Sequence, residues 1–117
     1  MRGYQAAANA HDLEATLSMI AQDAIFLFSN QTSYLGKNAI RRAIQTNFDT
    51  IKNEKYRTHH VTWLLDANDF ALCVYEFDWT GDIDGKPASG SGRGTTAIRR
   101  IDGNWRIIHE HLSRGGL

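Results

Sequence analysis

Three histidines in this sequence have a spacing that could support acid–base or metal chemistry. His109 and His111 lie two residues apart in an apolar segment near the C-terminus, and His60 lies in an earlier segment of the same kind. Residues i and i+2 of a β-strand project from one face, and histidine titrates near neutral pH. Imidazole also binds zinc or iron. The three histidines could be acid–base or substrate-binding groups, metal ligands, or hydrogen-bonded residues of a pocket wall. We predict no metal, because no carboxylate is expected on the sheet face that carries them.

The two C-terminal histidines belong to a predicted hairpin, residues 93–113, that turns at an Asp-Gly pair. An Asp-Gly pair between apolar runs favours a two-residue turn, since both turn residues need positive φ. An uninterrupted register then pairs Thr96 with His109 and Thr95 with Glu110. This register places both histidines on the wall of a cavity and Glu110 on the opposite face. A β-bulge would exchange the two sets and put Glu110 in the cavity instead.

A second hairpin is predicted from residues 56–65 and 70–80, and its register pairs His59 with Glu76. One of its faces is aliphatic with charged pairs at one end. The other face mixes small residues with aromatic ones, a composition suited to a ligand cavity. The residues expected to line that cavity from this hairpin are His60, Tyr75, Phe77 and Trp79.

Composition limits the class of protein. The chain has 117 residues with 13 basic and 13 acidic side chains, which indicates one domain, residues 1–117, without the basic patch of a nucleic-acid binder. No apolar run reaches the length of a membrane span, and there is no signal-peptide pattern. We expect a cytoplasmic protein. Its one cysteine, Cys73, is expected to be a small core residue.

The helical segments precede most of the strands. Hydrophobic periodicity predicts helices over residues 2–10, 13–21 and 37–53, and a strand over 24–29. A loop or brief strand follows that strand and carries Tyr34, and residues 81–92 are predicted to be a loop. Helices followed by antiparallel strands predict an α+β domain with the helices on one sheet face.

Both faces of the predicted sheet are apolar. Large exposed apolar patches usually mark protein interfaces, so we predict a homodimer packed sheet against sheet. The residues expected on this interface are Trp63, Leu65, Phe70, Leu72, Val74, Ile108 and Leu112.

The order of these segments, with Asn-Ala-His-Asp-Leu-Glu at 9–14, Leu-Gly-Lys-Asn-Ala-Ile-Arg-Arg at 35–42 and the final hairpin, resembles the SnoaL-like group of the nuclear transport factor 2-like superfamily. The ending is also similar to the association domain of calcium/calmodulin-dependent protein kinase II. The resemblance covers essentially the whole chain. It implies a cone-shaped, cystatin-like fold in which a curved antiparallel sheet wraps around a helix and forms a deep pocket.

The resemblance also implies roles for single residues. Tyr4 falls where ketosteroid isomerases of this superfamily carry a catalytic tyrosine, whereas their aspartate base corresponds to Phe28 here. Phe77 and Thr96 stand where the kinase association domain lines its pocket with arginines.

These observations favour a protein that holds a small, mostly apolar organic molecule. If it is an enzyme, the expected chemistry is cofactor-independent proton transfer, such as isomerisation, dehydration or cyclisation. His109 or His111 would be the acid–base group and Tyr4 or Tyr75 the oxyanion donor. His60, Tyr34, Tyr75, Phe77, Trp79 and Thr96 are the candidate ligand contacts. The alternative is a non-catalytic ligand-binding or homo-oligomerisation module.

Overall fold

The computed structural model describes residues 2–117, and at residue 2 the backbone only. Its elements in chain order are α1 (Arg2–Asn9), α2 (Leu13–Ser18), β1 (Ile20–Leu27), β2 (Ser33–Leu35), α3 (Lys37–Thr50), β3 (Lys52–Asp66), β4 (Phe70–Ile83), β5 (Lys86–Ile101) and β6 (Asn104–Ser113). Within residues 2–117, none of the helices is both long enough and apolar enough to cross a membrane.

The strands form one curved, unclosed six-stranded sheet in the order β2-β1-β6-β5-β4-β3. The predicted α+β, cystatin-like fold is confirmed with one correction. β1 pairs with β6 in parallel, whereas the other neighbouring strands are antiparallel. A parallel neighbour cannot be inferred from hairpin turns, because the two strands are separated by most of the chain.

Helix α3 fills the inside of the curved sheet. Ile40, Ile44 and Phe48 recur at four-residue spacing, as predicted, and all three are buried. They pack against Phe26 of β1 and Ile107 of β6 in the main core. The sheet face that carries this core is called the inner face below, and the opposite one the outer face.

Two predicted boundaries are wrong. The second helix ends at Ser18 and β1 already begins at Ile20, because the apolar segment pairs with β6 and β2. Residues 81–92 are not a loop, since β4 and β5 continue through them to a turn at Asp84-Gly85. Both turn residues have positive φ, 53° and 77°, the geometry of a two-residue hairpin turn.

The final hairpin contains the β-bulge that decides which face its residues occupy. The predicted pairing holds from Arg100–Trp105 to Ile98–Ile107, but Ala97 then pairs with His109, leaving Ile108 as the extra residue. Every residue of β6 beyond Ile108 is thereby moved to the opposite face from the uninterrupted register.

Irregularities also change the hairpin of β3 and β4. Near the turn, Leu65 pairs with Leu72 and not with Phe70 as predicted. Register shifts farther along β3 restore the predicted His59–Glu76 pair. His60 lies in the second of these irregularities with φ 53°, a left-handed conformation that non-glycine residues rarely adopt.

Glycines in β5 make room for aromatic rings on the inner face. A Cβ on Gly94 would lie 2.7 Å from Cζ of Tyr75, so the ring lies directly over the glycine. The pattern repeats along the two strands: Trp79 lies over Gly90 and Phe77 over Gly92. The space that these glycines leave beside β5 is therefore filled by aromatic rings of the neighbouring strand.

Candidate functional site

A cavity of about 110 Å³ lies between the helices and the inner sheet face. α1, α3, β3 and β6 all contribute to its wall. The wall includes Tyr4, Phe28, Phe48, Glu54, Tyr56 and Glu110. An apolar cavity of about 150 Å³ binds benzene, so this space suits a compound of about one small ring.

Glu110 contributes a buried carboxyl to the sheet wall of this cavity. The Ile108 bulge turns it inward, where it lies in register between Phe26 of β1 and Thr96 of β5 and is only 5% exposed. Burial raises the pKa of its carboxyl to about 7. A carboxyl with this pKa exists in both protonation states near neutral pH, which suits a general acid or base.

Three tyrosines surround Glu110. Burial first, and the negative charge of Glu110 second, raise the pKa values of Tyr4, Tyr56 and Tyr75 above the ordinary value. The Tyr75 hydroxyl is 2.8 Å from Oγ1 of Thr96, and both residues are buried. The three phenols therefore remain protonated, and those of Tyr4 and Tyr56, which line the cavity, can donate hydrogen bonds to an oxygen in it.

A second carboxyl, that of Glu54, lines the cavity and is paired with His11. Nε2 of His11 lies 3.1 Å from Oε1 of Glu54, and the His11 ring stacks on Phe48 with centroids 4.3 Å apart. Burial raises the pKa of Glu54, an effect that the contact with His11 partly offsets. The sequence does not reveal this pair, because the two residues are 43 positions apart.

The expectation that His109 and His111 face the cavity is wrong. Since the bulge exchanges the two faces of β6, both lie on the outer face, beside Ile25 and Leu27 of β1. Nδ1 of His109 is 2.8 Å from the carbonyl oxygen of Ile25, to which it can donate a hydrogen bond.

The prediction that His60 lines the cavity is also wrong. Its side chain is 72% exposed and its Nδ1 lies 2.9 Å from Oε1 of Glu76 on the outer face. The positive φ at its β-bulge directs the side chain away from the side that regular alternation predicts.

The other predicted ligand contacts pack within the protein. Phe77 contacts Tyr56 with ring centroids 5.9 Å apart, and Trp79 joins the same cluster. Tyr34 packs edge-on against Phe28 at 5.1 Å. These rings, with the Tyr75–Thr96 pair, support the inner wall and do not line the cavity itself.

A larger groove of about 590 Å³ lies outside the sheet, between the β1–β2 connection and the C-terminal residues, and His111 is on its edge. Its floor is mostly exposed polar residues such as Asn30, Gln31 and Thr32. The inner cavity is the better candidate site because it desolvates two carboxyls and is lined by aromatic rings.

Comparison with known proteins identifies the relatives of this chain. Residues 1–115 match the sequence profile of the SnoaL-like domain. No curated protein sequence matches the chain.

Three solved structures show the fold. A candidate aromatic ring hydroxylase from Novosphingobium aromaticivorans superposes with TM-score 0.87 at 20% identity, covering 97% of this chain and 82% of its own. A candidate calcium/calmodulin-dependent protein kinase II association domain from Xanthomonas campestris gives TM-score 0.83 at 21% identity, covering 96% and 80%. A nuclear transport factor 2-like protein of unknown function from Pseudomonas putida gives 0.82 at 23% identity, covering 96% and 79%.

These likenesses confirm the predicted fold, and one of the three structures is of the association-domain type that the ending of the chain resembles. At such identities they establish the fold alone, and the descriptions of the three proteins differ from one another. The chemistry must therefore be argued from this chain's own site.

Proposed function

This chain belongs to the SnoaL-like family, and we propose that it binds a small, mostly apolar carbonyl compound in the inner cavity and catalyses proton transfer on it. Glu110 is the acid–base residue, in place of the histidines predicted from the sequence. The observation that carries the proposal is the desolvated carboxyl of Glu110, with a pKa raised to about 7, in a cavity surrounded by protonated tyrosines.

The proposed reaction begins with the ionised form of Glu110. Its carboxylate removes a proton from the carbon next to the substrate carbonyl, and the electron pair moves onto the carbonyl oxygen. Tyr4 and Tyr56 both line the cavity and donate hydrogen bonds to that developing negative charge. Glu110, now neutral, can return the proton to the same carbon, which gives hydrogen exchange with no net reaction. When the substrate has a β,γ double bond, Glu110 can instead return the proton to the γ-carbon, which moves the double bond and completes an isomerisation without a cofactor.

Exchange of carbon-bound hydrogen tests the proposal without knowledge of the natural substrate. Cyclohexanone is one small ring with acidic α-protons, and NMR follows their replacement in D₂O. We expect the protein to accelerate exchange above buffer, with a rate that rises through an apparent pKa of about 7. Glu110→Gln should lower that rate by at least about 100-fold, the usual contribution of a general base.

His111→Gln is the matched control, because it removes a titratable group from the outer face and leaves the cavity intact. Its exchange rate should equal that of the wild type. Exchange no faster than buffer alone, or a loss of exchange in His111→Gln but not in Glu110→Gln, would contradict the proposal. Binding of the ketone without exchange would instead support a non-catalytic ligand-binding module.

We also propose that the chain forms a homodimer through the outer sheet face. One continuous row crosses all six strands in register, and several of its members are exposed apolar side chains: Ile25 is 42% exposed, Leu65 47% and Leu35 67%. The row consists of Leu65, Leu72, Ala97, His109, Ile25 and Leu35. The predicted interface needs correction at three positions: Leu112 lines the inner cavity, Ile108 packs against the main core, and Trp63 pairs with the buried Cys73. A second copy would cover this row and remove its apolar surface from water.

A further inference from the structure

His59, His60 and Glu76 bring three metal-binding atoms together on the outer face. Each residue offers one ligand atom, and the three atoms lie within 4.8 Å of one another. The cluster belongs to the charged end of the hairpin of β3 and β4, where His59 pairs with Glu76. It is separate from the inner cavity and from Glu110.

The backbone brings these two histidines to the same side. Consecutive residues of a regular strand point to opposite faces, so adjacent histidines would normally be separated by the sheet. At the register shift, His60 has φ 53°, and the Nδ1 atoms of His59 and His60 lie only 3.3 Å apart. Strained conformations of this kind persist where the surrounding structure enforces them, and they concentrate at functional sites.

The distances fit a tetrahedral ion. With Zn–N bonds of 2.0–2.1 Å, two nitrogen ligands on a tetrahedral zinc ion are about 3.3–3.4 Å apart, which matches the separation of the two Nδ1 atoms. Oε1 of Glu76 lies 2.9 Å from Nδ1 of His60 and offers a third ligand atom. The His60 side chain is 72% exposed, so water can reach a fourth position.

A further carboxylate fixes the orientation and tautomer of His59. Nε2 of His59 lies 3.0 Å from Oδ2 of Asp78, whose Oδ1 accepts a hydrogen bond of 2.9 Å from Nε of Arg57. When Nε2 carries the proton and donates it to Asp78, the lone pair on Nδ1 is free to bind a cation. Metal-binding histidines commonly have such a carboxylate partner on their other nitrogen.

We propose that His59 Nδ1, His60 Nδ1 and Glu76 Oε1 form a binding site for a divalent transition-metal ion of the zinc class, completed by water. Two imidazoles and one carboxylate are a donor set suited to such ions. On binding, His60 carries its proton on the solvent-exposed Nε2, and Nδ1 coordinates the metal. This assignment differs from the metal site considered from the sequence, which would have joined His60 to His109 and His111.

The test is a calorimetric titration of the untagged, chelator-treated full chain with zinc chloride in a buffer that does not bind metal. We expect one zinc ion per chain. His60→Asn should weaken the affinity by more than about 10-fold, since loss of a second-shell partner alone costs about 10–100-fold. Asparagine tolerates positive φ, so this variant keeps the bulge. Glu76→Gln should weaken binding similarly through a residue with ordinary backbone geometry.

His111→Asn is the matched control, an exposed histidine of the same face outside the cluster. Its affinity for zinc should stay within twofold of the wild type. The proposal would be overturned by the absence of stoichiometric binding. Equal affinities of His60→Asn and the wild type, or equal losses in His60→Asn and His111→Asn, would also overturn it.

Discussion

Glu110 pairs with Thr96 across β5 and β6, one position away from the Thr95 partner that an uninterrupted hairpin would give it. The one-residue difference arises from the bulge at Ile108. Because alternate residues of a strand face opposite ways, it moves a carboxyl into the protein interior and the histidines out of it.

The first prediction concerns the pH dependence of stability. The pKa of Glu110 is raised from its ordinary value of 4.5 to about 7 by burial, so the folded protein binds this proton more tightly than the unfolded chain. Its contribution to the free energy of unfolding is complete below pH 4.5 and is lost as the pH rises to about 7. Replacement by the neutral isostere in Glu110→Gln should change stability little at pH 4.5 and increase it by about 3 kcal/mol at pH 8.

Urea unfolding of both proteins at the two pH values measures this difference. Glu14→Gln is the control, because Glu14 is exposed and its pKa is lowered by the hydrogen bond from Arg41. This variant should not gain stability at pH 8. A Glu110→Gln protein less stable than the wild type at pH 8 would show that the buried carboxylate has a stabilising partner.

The second prediction concerns the buried hydrogen bond between Tyr75 and Thr96, 2.8 Å long. Tyr75→Phe and Thr96→Val each leave one hydroxyl without this partner, and each should lower the free energy of unfolding by about 1–2 kcal/mol. The double variant should lose about 1 kcal/mol less than the sum of the single variants. Denaturant unfolding of the four proteins completes the cycle, and additive losses would mean that the two hydroxyls do not interact.

The third prediction concerns the close approach of Tyr75 to Gly94. In Gly94→Ala the new Cβ would lie 2.7 Å from the tyrosine ring and 2.8 Å from Cδ2 of Leu112. Relief of this overlap requires movement of the cavity wall, so the free energy of unfolding should fall by about 1–3 kcal/mol. Gly3→Ala is the matched control. Its Cβ would meet only the flexible end of Met19, at 3.5 Å, and alanine favours the helix. Equal stability of the two variants would contradict the prediction.

The fourth prediction concerns the proposed dimer. Leu65→Lys places a charge in the apolar row of the outer face at a position that is 47% exposed in the single chain. The free energy of unfolding of the monomer should change by no more than about 0.5 kcal/mol. Burial of the lysine against a second copy, in contrast, would destabilise the dimer. Light scattering should show a dimer for the wild type and a monomer for Leu65→Lys.

Thr46→Lys is its control, since Thr46 is exposed on α3, away from the outer face. It should remain dimeric. A monomeric wild type at micromolar concentration would rule out this interface.

Much of the fold could be predicted because its signals are local. Periodicity identified α3 and its buried face, and the turn residues located the last hairpin. The parallel pairing of β1 with β6 has no local signal. The long strands through residues 81–92 were also missed, since glycine and serine normally indicate a loop. Here the alternate glycines accommodate aromatic rings of the neighbouring strand.

The site was harder to predict, because one extra residue in β6, Ile108, decides which side chains face the cavity. The sequence indicated a cavity bounded by Tyr4, Tyr75 and Thr96, and these three residues do surround Glu110. A bulge that turns Glu110 inward is one of the two predicted registers. Apolar residues such as Ile107 and Ile108 are compatible with either register, so the sequence does not decide between them. The contact between His11 and Glu54 depends on tertiary packing, which sequence spacing does not report.

The most direct test of the account is the titration of the Glu110 side-chain carboxyl, followed by ¹³C NMR in the wild type and assigned by loss of the signal in Glu110→Gln. We predict an apparent pKa of about 7. A carboxyl that titrates near the ordinary glutamate value of 4.5 would contradict the account, because it would place Glu110 in water and leave the cavity without its acid–base group.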